Sequence, residues 1–114
     1  MRPETALQRQ LRTYLAAKGY RTVAVPNGAT LRGDGIERAI QMASLKRDGL
    51  CVGFPDLIVF GRGRVGFIEV KVEGGRLSKD QCACRDWLGG WGHLYAVCRS
   101  TLDVDETLAD WGWI

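Results

Sequence analysis

What this 114-residue chain lacks narrows it quickly. No apolar run approaches the ~20 residues needed to span a bilayer. The opening Met1-Arg2-Pro3-Glu4 turns polar at once, without the apolar stretch of a secretory signal. A cytoplasmic protein with no membrane partner is therefore expected. Histidine is nearly missing: His93 stands alone, is read as structural, and leaves no Ser/His/Asp set for nucleophilic catalysis. The glycines between Gly28 and Gly35 do not spell the G-x-x-x-x-G-K-[ST] of a phosphate loop, so ATP binding is not expected. Cysteine is present four times, as Cys51, Cys82, Cys84 and Cys98, but the C-x-C spacing of Cys82 and Cys84 is not the usual zinc knuckle. Without a signal for an oxidising compartment, reduced and partly buried thiols are the expected state. The formal charge of +3 permits a nucleic-acid partner without requiring one.

What is present reads as one α/β domain over residues 1–114, with no internal repeat or linker. Leu7, Leu11, Tyr14 and Leu15 recur at helical spacing and predict a helix from Glu4 to Lys18, closed by Gly19. A strand over Tyr20–Val25 is stopped by Pro26 and Asn27. A glycine-punctuated segment, Gly28 to Gly35, leads into a second helix, Ile36–Asp48, with Ile36, Ile40, Ala43 and Leu45 expected to face inward. Leu57–Phe60 is a continuous apolar run, as in a strand buried on both faces. Gly61 to Arg64 forms a turn into a strand over Val65–Val72. Ser78 and Gln81 have capping-box spacing and open a helix to about Leu88. A strand over Leu94–Cys98 and a helix over Asp103–Trp111 complete the chain. Apart from the second and last helices, the order is αβββαβ, which requires helices covering a central mixed sheet.

The chemistry concentrates in Ile68-Glu69-Val70-Lys71-Val72. Side chains alternate along a strand, so Glu69 and Lys71 share one face and Ile68, Val70 and Val72 the other. Two readings stand: an edge strand whose charges sit in water, or a central strand whose charges need a compensating partner, such as a divalent cation. Asp56 bears on that choice. It follows Pro55, lies thirteen residues before Glu69 (69 − 56), and heads a strand joined to the Glu69 strand by a short turn. A hairpin of that kind brings Asp56 and Glu69 side by side. Two carboxylates there make a hard-oxygen site suited to Mg²⁺ or Mn²⁺, to which the Val70 carbonyl could add a third oxygen. Lys71 could orient an attacking water and stabilise charge developing on a phosphate.

Pro55-Asp56 followed by Glu69-Val70-Lys71 resembles the PD-(D/E)XK signature of the restriction-endonuclease-like nucleases, and the αβββαβ order is similar to their core. More narrowly, Gly53-Phe54-Pro55-Asp56-Leu57, Phe67-Ile68-Glu69-Val70-Lys71 and Leu77-Ser78-x-x-Gln81 resemble the VRR-NUC, or virus-type replication-repair nuclease, branch. The resemblance implies Asp56, Glu69 and the Val70 carbonyl as metal ligands, and Lys71 as the group that positions water. It also implies Gln81 as a catalytic-site residue on the following helix, and Glu4, the acidic residue of the first helix, as a catalytic residue and further metal ligand. Gln81 can equally serve the capping box, and Glu4 can equally be a favourable first-turn residue.

The expected reaction is metal-dependent phosphodiester hydrolysis. Arg62, Arg64, Arg76 and Lys79 on connections expected near the site, with Arg32, Lys46 and Arg47 in the inserted segment, are candidate phosphate contacts. Trp87, Trp91, Trp111 and Trp113 are expected in core or subunit contacts ahead of base stacking. Small stand-alone members that this chain resembles act as homodimers on branched DNA such as four-way (Holliday) junctions, which makes a homodimeric, structure-specific endonuclease the leading expectation. A monomeric nuclease of flaps, nicks or single strands, and a binding module that does not cut, are the alternatives.

Overall fold

The structure, a computed structural model, describes residues 2–26 and 31–114. Four helices and four strands follow in the order α1 (Pro3–Ala17), β1 (Arg21–Ala24), α2 (Gly35–Arg47), β2 (Leu57–Phe60), β3 (Val65–Val70), α3 (Lys79–Gly90), β4 (Leu94–Cys98) and α4 (Thr101–Asp110). Asn27 and the first three residues of the expected glycine-punctuated segment, 28–30, lie outside the described residues.

Pro3 occupies the first turn of α1, where its missing N–H removes no hydrogen bond. The predicted stripe then delivers Leu11 and Leu15 to full burial. Gly19, at φ +94, supplies the left-handed residue that ends the helix. The four strands form one sheet in the order β1-β2-β3-β4. The first two pairings are antiparallel and β3–β4 is parallel. The parallel step is bridged by α3, the crossover such pairing requires. The expected mixed sheet within an αβββαβ core is the observed one.

The sheet has two unlike faces. On one, Leu57, Val59, Ile68, Val70 and Cys98 meet Leu11 and Leu15 of α1 and Val104, Leu108 and Trp111 of the C-terminal region. Full burial of each such aliphatic side chain contributes about 1.5–3 kcal/mol. Trp111 lies over Gly66 and Trp113 over Gly61, and in both places a Cβ would collide with the ring. On the other face, Ile58, Phe67 and Tyr95 stand at one level of the register. Phe54 and His93 meet Phe67 edge-on, so His93 has the structural place expected of it. Cys84 and Leu88 of α3 are buried.

Several expectations need correction. Val65–Val72 is shorter as a strand and ends at Val70, although the Lys71 N–H still donates to the Cys98 carbonyl at 3.2 Å. The third helix runs through Gly89 and Gly90, because glycine weakens a last turn without forbidding it. The fourth begins at Thr101, since the Ser100 side chain caps it by accepting from the Asp103 N–H. The largest difference concerns α2. Asp34 caps it as a helix should be capped, yet Ile36 is 74% exposed and Ile40 64% exposed. Ala43 is exposed as well, and only Met42 and Leu45 among its larger apolar residues are half-buried. Among the described elements, α2 packs against no other helix or strand. Its apolar stripe exists as predicted, but the fold offers it no inward surface.

Candidate active site

The β2–β3 register pairs Leu57 with Ile68, so one further step sets Asp56 opposite Glu69. The pairing expected from the hairpin is the one found. Sheet order makes β3 an inner strand, which decides between the two readings of its charges: Glu69 is 2% exposed. An inner strand can hold a carboxylate there only if its surroundings compensate for lost hydration.

Those surroundings are specific. Gln81, in the first turn of α3, donates from Nε2 to Glu69 Oε1 at 2.9 Å. The same side chain accepts from the Ser78 N–H at 2.8 Å through Oε1, while the Gln81 N–H donates to Ser78 Oγ at 3.1 Å. The capping-box and site roles of Gln81 are therefore simultaneous, one for each end of its amide. Asp56 Oδ2 accepts from the Val70 N–H at 2.8 Å, and its own carbonyl accepts from the Val25 N–H. This fixes Asp56 to the peptide between Glu69 and Lys71.

Compensation is incomplete. Glu69 Oε2 is buried without a hydrogen-bond partner, and so is the Tyr95 hydroxyl. Burial, and then the negative charge of Asp56, push the Glu69 carboxyl up to about 8. Burial raises Asp56 as well, against the lowering effect of the Val70 N–H. Each carboxyl thus shifts the ionisation of the other. Lys71 favours the ionised form of both, and Glu4 at the start of α1 opposes it. The Lys71 side chain runs past Gly75, where a Cβ would meet its Cδ at 3.6 Å.

The structure thus gathers Asp56, Glu69, Lys71 and Gln81, and brings Glu4 within electrostatic reach. Among the described residues no group of three or more His, Cys, Asp or Glu side chains could hold a metal ion. Glu4, expected as a further metal ligand, is not grouped with the pair: it is exposed and acts on the carboxyls only through its field. Two carboxylates still fit Mg²⁺ or Mn²⁺, because Mg²⁺ usually keeps several waters and takes one or two protein carboxylates. The partnerless Glu69 Oε2 and the raised carboxyl pair suit a cation ligand, since a bound positive charge would favour both ionised carboxylates.

The basic candidates divide. Arg76 and Lys79 are exposed and flank the Ser78 cap beside Gln81. Arg62 and Arg64 lie on the β2–β3 turn, at the opposite end of the hairpin from Asp56 and Glu69. There they line a cavity of about 630 Å³ with Lys18, Trp111 and Trp113. The hairpin that pairs the carboxylates necessarily sends its own turn away from them. Lys46 and Arg47 end the unpacked α2, and the Arg32 backbone is tied to Gln41 of that helix.

Two residues escaped the sequence reading. Tyr95 faces the Glu69 side of the sheet, and the Glu69 charge is among the causes that raise its hydroxyl pKa, after burial. Its only sequence signal is strand alternation on β4, which cannot reveal a partner on β3. Arg99 donates from Nη1 to the Val72 carbonyl at 2.8 Å and holds the chain just beyond Lys71. No local pattern announces that contact.

A comparison with curated proteins finds no match. Among solved structures, a VRR_NUC domain superposes with a TM-score of 0.63 at 22% identity, over 94% of this chain and 94% of that one. A VRR_NUC domain protein superposes with a TM-score of 0.62 at 19% identity, over 100% of this chain and 89% of the other. Identities this low speak for the fold alone. The profile of the VRR-NUC domain, however, matches residues 2–102, a span that takes in α1, the Asp56–Glu69 hairpin, Lys71 and the Gln81 cap. With sequence profile and topology agreeing, the chain belongs to the VRR-NUC domain family and has its nuclease-type fold.

Proposed function

We propose that this protein is a metal-dependent endodeoxyribonuclease that hydrolyses phosphodiester bonds in branched DNA, such as four-way junctions, as a homodimer. The observation that carries the proposal is Glu69. It is a carboxylate at 2% exposure on an inner strand, opposite Asp56, with one oxygen left without a partner. A purely structural role would not favour leaving that oxygen unsatisfied.

Asp56, Glu69 and the Val70 carbonyl would hold Mg²⁺ or Mn²⁺. When bound, the cation would polarise the scissile phosphate and make water a better nucleophile near neutral pH. Gln81 fixes the orientation of Glu69, and the Val70 N–H fixes Asp56, so both carboxylates are held before substrate arrives. Lys71, on the same side of the strand as Glu69, orients the attacking water and balances charge that builds on the phosphate. Arg76 and Lys79 contact backbone phosphates next to the site and contribute affinity without reading sequence. Homodimerisation is supported by the apolar stripe of α2, whose Ile36 and Ile40 are exposed and which packs against none of the other described helices or strands. Two-fold pairing of active sites suits paired cuts in a symmetric junction.

A panel of labelled junctions, forks, flaps and linear duplexes, each with Mg²⁺, Mn²⁺ or a chelator, tests the whole reading. Cleavage should require the metal and be fastest on the junction. Robust cutting in the chelator would refute the metal assignment. Preference for flaps or nicks would move the protein to the monomeric alternative, which light scattering would check independently.

A further inference from the structure

Two of the four cysteines are neighbours in space, although thirty-three residues apart. Cys51 Sγ lies 3.3 Å from Cys84 Sγ, and both thiols are free. A disulfide requires about 2.05 Å, so a small approach would join them. Their positions give that approach a consequence. Cys51 begins the segment that ends in Asp56. Cys84 lies one turn beyond Gln81 on α3. The intervening chain is pressed onto the same helix: Cys84 Sγ contacts the Val52 carbonyl at 3.5 Å, and a Cβ at Gly53 would stand 2.5 Å from the Asp80 carbonyl carbon. Gly53 is also held at φ +83, so the segment has one tightly determined path.

We propose that Cys51 and Cys84 form an oxidative modification site, a dithiol that closes to a disulfide and switches the active site off. The switching part rests on the nuclease reading given above; the disulfide itself does not. The oxidant is a low-molecular-weight disulfide of the oxidised-glutathione class. Cys51 is the more exposed thiol. As thiolate it attacks one sulfur of the oxidant, forming a mixed disulfide and releasing one small thiol. Cys84 then loses its proton to solvent and attacks Cys51 Sγ, forming the Cys51–Cys84 bond and releasing the second small thiol. Two protein thiols are oxidised and one small disulfide is reduced to two thiols. Burial, and Cys51 beside it, push the Cys84 thiol up to about 11, which leaves the first attack to Cys51, while contact with Cys51 Sγ makes the second step intramolecular.

The bond would draw the Asp56 segment and the Gln81 helix toward each other. Asp56 and the Gln81-held Glu69 are the two carboxylates on which the reaction depends. Misplacement of a catalytic group by about 1 Å can cost about 10²-fold in rate. Cys98 is an internal control, since it is buried and faces Thr107 on the other side of the sheet.

The test titrates the purified protein with oxidised glutathione. It reads disulfides by peptide mapping, Mn²⁺ binding by calorimetry and junction cleavage by gel. A Cys51–Cys84 peptide should appear first, with cleavage reduced at least tenfold and restored by dithiothreitol. Cys51→Ser and, separately, Cys84→Ser should keep the reduced protein's activity in the same oxidant. Joining of other cysteines, absence of the cross-link, or a mapped cross-link with unreduced cleavage would overturn the proposal. Should neither form cut any DNA, the nuclease reading fails by itself. The peptide map still decides the cross-link, and unchanged Mn²⁺ affinity in the cross-linked protein would overturn the switch.

Discussion

Lys71 and Glu69 lie two residues apart and make opposite predictions. Lys71 faces a carboxyl pair whose ionisation it assists, yet the hydrogen bonds that hold the pair come from Val70 and Gln81. Lys71→Ala should therefore cut metal-dependent cleavage by about 10²-fold or more, while the protein stays folded and still binds DNA in Ca²⁺. Cleavage rate and melting temperature, measured together with metal present, check this, and a folded variant cutting at the wild-type rate would remove Lys71 from catalysis. Glu69 governs the pH dependence. Its folded-state carboxyl is raised from 4.5 to about 8, so the folded protein keeps a proton that the unfolded chain releases. Metal-free stability should be greatest below about pH 4.5 as far as this group is concerned, and should fall as pH rises toward about 8. Asp56, raised in the same direction, adds to the slope. Glu69→Gln should flatten that dependence in metal-free thermal melts, and Mn²⁺ should flatten it in the wild type.

At the scale of the element, α3 does two jobs through one side chain. Gln81→Glu keeps an acceptor for the Ser78 N–H but replaces the donor to Glu69 with a second carboxylate. The helix should survive while the metal site becomes more acidic. The expected result is a melting temperature near wild type in Mn²⁺, with cleavage reduced about tenfold or more as Glu69 loses its orientation. Ser78→Ala does the reverse: it should cost about 1 kcal/mol by urea unfolding and leave the cleavage rate of the folded fraction unchanged. These elements also show what the sequence makes legible. Alternation along Phe67-Ile68-Glu69-Val70-Lys71 gives the faces, and turn spacing gives the Asp56–Glu69 pairing, because both are local regularities. The depth at which Glu69 is buried depends on β4 and α3 arriving beside it. Tyr95 and the Arg99–Val72 contact depend on the same assembly, so no local pattern carries them. Ile36 and Ile40 show the converse: their helical periodicity was readable, but periodicity reports an apolar face and not what covers it.

At the scale of the whole molecule, α2 is the feature that the fold of one chain leaves unexplained. If its stripe pairs with a second copy, Ile40→Asp places a charge in that contact and should convert the dimer to monomer by light scattering. Stability of the single chain should change by less than about 0.5 kcal/mol, the usual range for an exposed position. Junction cleavage should fall further than cleavage of a nicked duplex, since only the junction calls for paired sites.

The route of the chain around α2 has an architectural consequence. Ala24 pairs with Leu57, and the Val25 N–H donates to the Asp56 carbonyl, so residues 26–55 leave the sheet and re-enter it at one point. Such an excursion is topologically a long hairpin loop, and closing a shorter loop costs less chain entropy. Retaining Gly53–Pro55, which seat Asp56 against α3, and replacing residues 27–50 with a brief glycine-serine bridge should yield a miniature that still unfolds cooperatively in thermal melts, with less helical signal in circular dichroism, and is monomeric by light scattering. Nature could lengthen, exchange or delete this excursion without re-registering a single strand. The β1–β2 junction is thus a point at which chain can be inserted or removed upstream of Cys51 while the strand register stays fixed.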